Sequence, residues 1–209
     1  MTSREQVAQR PPRAPLTGFP TVVLGATTEV YRAHLRALGP WWFSSSGDGR
    51  FDLAAPRGTC YLADSPLAAL RERLGVVLGE SPTVPASLLE DADVSTLRLP
   101  TDTSLADLQA PRATDYGVTR ELETMVPYVV PQAWAAAFAA GEHGGMRYGP
   151  RFSTGPASSY AVFGPAGPAD LPADPRPVPA RDVPGAPTGL QPPRRWDVTV
   201  VRPPRTRTR

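Results

Sequence analysis

Residues 49–75, GRFDLAAPRGTCYLADSPLAALRERLG, hold the clearest local structure in the chain and its most concentrated chemistry. Gly49-Arg50-Phe51 reads as a turn. The run Thr59–Ala63 (TCYLA) is short, apolar and β-prone. It is bounded by Gly58 on one side and Asp64-Ser65-Pro66 on the other, and so reads as a strand. A helix follows. Ser65 or Asp64 caps it, Pro66 fits its first turn, and Leu67, Leu70 and Leu74 recur at helical spacing before Gly75 offers a stop. Glu72 lies between Leu70 and Leu74, at the margin of the buried stripe. One strand–helix unit thus gathers a cation (Arg50), an aromatic hydroxyl (Tyr61) and a carboxylate (Glu72). Such a set suits a phosphate-bearing ligand with a bond to be polarised or a developing cation to be held.

Upstream, residues 1–20 are polar and rich in Arg, Pro and Gln, which predicts a disordered lead-in with no hydrophobic signal core. Globular patterning starts near Val22. Val30, Tyr31 and Leu35 fall in a strand-like stretch that runs to Gly39-Pro40, followed by the aromatic knot Trp41-Trp42-Phe43 and a flexible SSSGDGR loop. Downstream, Val94–Pro100 (VSTLRLP) reads as a strand and Thr103–Leu108 as a short capped helix. Pro131–Phe138 forms a strong helix that ends at Gly141, and Ser158–Phe163 (SSYAVF) forms another strand. After residue 165 the chain turns proline-rich and reads as a spacer, with one strand expected over 196–201 and a basic tail after it. Residues 21–165 therefore form the expected catalytic unit, between the lead-in and the 166–209 segment.

Composition narrows the classes. The chain has 209 residues, enough for one domain with a substantial core. Its 27 prolines are far above the usual ~5% share. The net charge of +2 does not describe the broad basic surface of a nucleic-acid binder. All 22 basic residues are arginine, so any anion site must use guanidinium groups. The single cysteine, Cys60, excludes an internal disulfide and fits a small buried hydrophobe. No apolar run approaches the roughly 18–20 residues of a membrane span, and the expected location is the cytoplasm.

Familiar catalytic signatures are missing. There is no GxGxxG, no Walker loop, no HExxH and no GxSxG elbow, and the two histidines, His34 and His143, fit no known hydrolase signature. No metal is expected. Arg32, Arg50, Tyr61 and Glu72 remain as candidates. Taken singly they also read as surface charges, a core tyrosine and a helix-face carboxylate, and composition and periodicity do not decide between these readings.

Their order along the chain carries more. VYRAH, PWWFSSSGDGRFD, GTCYLADSPLAALRE and GGMRYGPRF with SSYAVF together resemble the RES domain family, bacterial NAD-degrading toxins usually paired with an antitoxin. The resemblance runs from about Tyr31 to Phe163. It implies an α+β fold, a compact mixed domain with a split central β-sheet and flanking helices like that of ADP-ribosyltransferase toxins. It also implies NAD as substrate, inorganic phosphate as a possible co-substrate, and an antitoxin partner, with no nucleic acid or membrane involved. Matched position by position, Arg32 and Arg50 correspond to the family's arginines, Tyr61 to its tyrosine and Glu72 to its glutamate. Glu72, Arg50 and Tyr61 are then the catalytic set, and Arg32, Arg50 and Tyr61 hold the ligand. The implied reaction is cleavage of the nicotinamide–ribose bond by phosphate or water. ADP-ribosyl transfer to a protein or small molecule, and nucleotide or partner binding without catalysis, stand as alternatives. One departure concerns the family's serine, expected between Tyr148 and Arg151 but absent here. Ser153 is the nearest hydroxyl and is taken as the replacement contact.

Overall fold

The structure, a computed structural model, describes residues 9–13 and 15–191. Strands β1 (Thr21–Leu24), β2 (Val30–Leu35), β3 (Trp42–Phe43) and β4 (Arg57–Ala63) lead into helices α1 (Pro66–Leu74) and α2 (Val76–Glu80). Next come β5 (Thr83–Pro85), the single turn α3 (Ser87–Glu90), β6 (Ala92–Leu97) and β7 (Thr103–Asp107). Two 3-10 segments then precede α4 (Val129–Ala140). The order closes with β8 (Gly145–Tyr148), β9 (Ser159–Pro165), β10 (Gly167–Pro168), β11 (Val178–Pro179) and β12 (Thr188–Leu190).

Eight strands form one mixed sheet in the order β1-β7-β8-β9-β4-β2-β6-β11, parallel only between β7 and β8. This is the expected α+β arrangement of a large central sheet with few helices. The sheet is divided where β2 leaves β4. The two meet at Tyr31 opposite Ala63, whereas β2 pairs with β6 along its whole length, from Val30–Leu97 to Leu35–Ala92. Alternation along β4 assigns its faces. Cys60 and Leu62 join Val30, Trp41, Phe43, Leu97 and Leu105 in one apolar cluster, while Tyr61 and Ala63 point the other way. On that second face α4 covers one part of the sheet, its Trp134 and Phe138 packing with Phe51, Met146, Ala161 and Phe163. Helix α1 covers the other part, with Leu70 and Leu74 against Val94 and Ala33. A gap between the two covered regions follows from the division of the sheet.

The reasons for α1 are local. Ser65 is extended and its hydroxyl accepts the Ala68 N–H at 3.2 Å, Pro66 occupies the first helical position, and Gly75 takes a positive φ of 43° as its N–H returns to the Arg71 carbonyl at 2.8 Å.

Three expectations are revised. Thr103–Leu108 is not a helix: Thr103–Asp107 form the interior strand β7, held by β1 and β8. Leu105 faces one apolar cluster and Ala106 the other, both fully buried, so the alternating signal of a half-exposed strand is lost. The lead-in is engaged from Gln9, a residue that composition assigns to disorder. The Gln9 side chain accepts from Thr119 N at 2.7 Å, Arg10 O accepts from the Trp134 indole at 2.8 Å, and Phe19 is buried. The proline-rich stretch is packed rather than a spacer up to residue 191. Pro172 O accepts from the Trp41 indole at 2.9 Å, Ala180 and Val183 are buried, and β11 forms one edge of the sheet, where proline is tolerated. The strand expected over 196–201 and the basic tail lie outside the described residues. None of the described helices is long and apolar enough to cross a membrane.

Candidate active site

A cleft of about 420 Å³ opens on the α1–α4 face at the division of the sheet. Arg32, Arg50, Tyr61 and Glu72 all line it, although they come from a strand, a loop, a second strand and a helix. Arg73, Arg151, Tyr128, Tyr148, Phe152 and Ser159 add to its polar and aromatic lining. Among the described residues, no ion pair engages Arg32, Arg50, Arg73 or Arg151. The cleft is thus a cationic, aromatic-walled hollow around a single helix-borne carboxylate, with Asp48 at its edge.

Arg50 is presented by a loop tied down by a residue that sequence reading quoted but gave no task. Asp52 is buried, and its Oδ2 accepts from Ser44 Oγ (2.8 Å), Ser46 Oγ (3.3 Å), Gly47 N (3.1 Å) and Gly49 N (3.1 Å). Its Oδ1 accepts from the Tyr61 hydroxyl at 2.8 Å, and that hydroxyl accepts the Phe51 N–H at 2.9 Å. Loop 44–52 and β4 are therefore closed into one hydrogen-bonded unit, with the fully buried Phe51 ring as its apolar anchor. Gly49 is required here, because a Cβ would collide with the Asp52 carboxylate and lie 2.5 Å from the Tyr61 hydroxyl. Arg50 itself is 9% exposed, its guanidinium carbon lies 5.6 Å from the Tyr128 ring centroid, and its Nε has no hydrogen-bond partner. A buried cation in this state has its charge available to an anion.

Tyr61 spends its hydroxyl proton on Asp52, so its ring face is what it offers a ligand. Burial, reinforced by the Asp52 charge, holds its phenol well above the usual range, and it stays protonated. Arg32 donates through one terminal nitrogen to Pro40 O (2.9 Å), Trp42 O (2.7 Å) and Cys60 Sγ (2.7 Å). It thereby ties β2 to β3 and β4 across the division of the sheet. Cys60 is fully buried, and burial raises its thiol pKa against the opposing pull of Arg32, so it is an inert structural thiol.

Glu72 is half-buried, and its Oε1 accepts the Phe152 N–H at 2.6 Å. Burial raises its pKa, opposed by the backbone N–H groups of Phe152 and Arg151 and by the guanidinium groups of Arg50 and Arg151. Burial likewise raises the Tyr148 phenol, with a further push from Glu72. Glu72, Arg50, Arg151 and Tyr148 thus share one cleft, the two guanidinium groups favouring the ionised carboxylate.

Ser153 is not part of this constellation. It lines a neighbouring hollow with Gly149, Pro150, Arg120 and Glu123, and its hydroxyl is buried without a partner. It stands outside the cleft because the chain after Tyr148 turns away. Glu123 captures the Gly149 N–H at 2.8 Å, and residue 152, not 153, returns to Glu72. The hydroxyl beside the cleft is Ser159, which lies opposite Tyr148 in the β8–β9 register. Sequence reading also passed over Arg73, Arg151 and Tyr128. The first two differ from other surface arginines only through the fold, and Tyr128 precedes α4 with no signal of its own.

Comparison with known proteins adds family and fold. A family model described as the RES domain matches residues 29–184. Among solved structures, a chain of the crystal structure of the M. tuberculosis MbcT–MbcA toxin–antitoxin complex superposes with a TM-score of 0.53 at 20% identity. The match covers 68% of this chain and 76% of that one. No curated protein matches the sequence.

Proposed function

The chain belongs to the RES domain family, and on that premise we propose that it is an NAD-consuming toxin that breaks the nicotinamide–ribose bond. The observation that carries this reading is the convergence of Arg32, Arg50, Tyr61 and Glu72 on one cleft. The pyrophosphate of NAD carries two negative charges, and Arg32 and Arg50, which no carboxylate neutralises among the described residues, supply the matching positive charge. The face of Tyr61 receives a planar ring.

In the reaction the C1′–N bond breaks and its electron pair leaves with the nicotinamide nitrogen, which loses its positive charge. The leaving group needs no proton. Positive charge develops instead on the ribose ring, and the ionised Glu72 stabilises it and orients the attacking oxygen. Water or inorganic phosphate then adds at C1′. Water loses its proton to solvent, whereas phosphate gives ADP-ribose 1″-phosphate directly. The surplus cations Arg73 and Arg151 favour an anionic acceptor.

Release of free nicotinamide from NAD, followed by chromatography with and without phosphate, tests the reading. Release by folded protein supports it, and the second product identifies the acceptor. No release under either condition overturns it. An enzyme that depletes NAD harms its own cell unless restrained, and the solved neighbour is described as a toxin–antitoxin complex. We accordingly assign this chain a proteinaceous antitoxin partner and a cytoplasmic site of action.

A further inference from the structure

Among the described residues, three buried side-chain polar atoms lack a hydrogen-bond partner: Arg50 Nε, Ser153 Oγ and Ser159 Oγ. Two of these three residues, Arg50 and Ser159, line the same cleft. Leaving a buried polar group unpaired costs a protein free energy, so its retention asks for a partner that arrives later. Arg50 already has a task in the proposed function. Ser159 does not.

Ser159 is 1% exposed and begins β9, where its Cα faces that of Tyr148 on β8. The Tyr148 hydroxyl is close enough to feel the serine, yet the two form no hydrogen bond of normal geometry. Tyr148 and Ser159 share the lining of one cleft with Glu72 and Arg50. The serine therefore belongs to the hollow that holds the carboxylate. Tyr148 and Ser159 are also the two feet of the 149–158 connection. Arg151 and Phe152 of that connection line the cleft, and the Phe152 N–H is held by Glu72.

We propose that Ser159 is a ligand-positioning residue whose hydroxyl bonds a ribose hydroxyl of the substrate next to Glu72, while Arg50 Nε takes a phosphate oxygen. A ligand hydroxyl that engages Glu72 competes with the Phe152 N–H, loosens the connection at its anchor, and brings the sugar to the Tyr148–Ser159 base. The inference rests on the NAD-cleaving reading, since it presumes a ribose at Glu72. It goes beyond that reading by assigning a hydroxyl contact at a position 11 residues beyond Tyr148.

The test is isothermal titration of the wild-type chain and Ser159→Ala with two probes, ADP-ribose and ADP. Apo melting temperatures are measured alongside. ADP-ribose carries the distal sugar and ADP lacks it. The expected result is an ADP-ribose Kd weakened about three- to tenfold in the variant, from loss of one hydrogen bond, with an unchanged ADP Kd. The apo melting temperature should stay equal or rise, because the hydroxyl has no partner to lose. An unchanged ADP-ribose Kd, or equal weakening toward both probes, overturns the assignment. A lowered apo melting temperature also overturns it, by showing that Tyr148 already satisfies the hydroxyl. A wild-type chain that binds neither probe overturns the NAD-cleaving reading and this inference together. Selective failure of the variant experiment leaves that reading standing.

Discussion

Replacing Asp52 with alanine should damage both stability and activity, by amounts that the hydrogen bonds define. The carboxylate accepts from two serine hydroxyls, two glycine N–H groups and the Tyr61 hydroxyl. Hydrogen bonds to a charged acceptor contribute about 1.5–3 kcal/mol each when buried, and they do not add in full. Ser44, Ser46 and Gly47 are half-buried or exposed, so water takes over much of their loss. The Tyr61 hydroxyl is deeper and loses its acceptor outright, while the half-buried Gly49 N–H loses its in part. A destabilisation of about 3–4 kcal/mol follows. For a chain of this length it corresponds to a fall of about 6–16 °C in melting temperature. Thermal unfolding by circular dichroism measures it. Because the same bonds place Arg50 and orient Tyr61, nicotinamide release assayed well below the melting point should fall at least about 100-fold. Ser46→Ala, which removes only contacts made by an exposed residue (to Asp52 Oδ2 at 3.3 Å, Ser44 Oγ at 3.2 Å and the Asp48 N–H at 3.2 Å), is the matched control and should change stability by less than about 0.5 kcal/mol. A melting temperature within 2 °C of wild type (roughly the shift that ~1 kcal/mol gives) together with near-normal release would refute the reasoning that this loop is held by Asp52.

Three other outcomes follow from the same contacts. Glu72→Gln should keep the fold and lose nicotinamide release by about 1,000-fold or more in a discontinuous assay, since it removes the negative charge that stabilises the developing cation. The acid limb of the kcat/KM–pH profile should lie above the ordinary glutamate value of about 4.3, because burial raises Glu72. Arg151→Gln, which removes a cation holding that value down, should move the limb to higher pH. The linkage runs in the opposite sense for stability. A raised carboxyl pKa in the fold means that this contribution is present at low pH and is lost as pH rises through the folded value. Finally, Gly58→Ala should cost about 2–3 kcal/mol in chemical denaturation, since its Cβ would sit 2.6 Å from the Phe43 carbonyl oxygen where β3 crosses β4.

The site was more legible in the sequence than the frame that holds it. Strand β4 and helix α1 were readable because their signals are local: an apolar run between turn residues, then Ser65, Pro66 and Gly75 at the helix ends. Strand β7 was not, because Leu105 and Ala106 are buried on opposite faces by strands far away in sequence, and TSLAD offers no alternation to detect. The proline-rich stretch misled for a related reason. Prolines that suggest a spacer are also tolerated at a sheet edge, and only the partners, Trp41 and β6, distinguish the two. Within the site, Arg32, Arg50, Tyr61 and Glu72 were identified through their order along the chain. Ser153 was chosen by sequence proximity to Tyr148. The chain's return to β9 instead places Ser159 beside the cleft, a pairing between strands that linear distance does not encode. Asp52 lay in the quoted GRFD segment, but its role depends on donors brought together by the closed loop.

The central claim is that these four residues form one NAD-cleaving cleft. A crystal structure of Glu72→Gln with NAD tests it most directly, since the variant should bind the substrate without consuming it. The account predicts the pyrophosphate against Arg32 and Arg50, a ring stacked on Tyr61, and the nicotinamide ribose beside residue 72 and Ser159. NAD bound elsewhere on the chain, with the cleft holding only solvent, would contradict it.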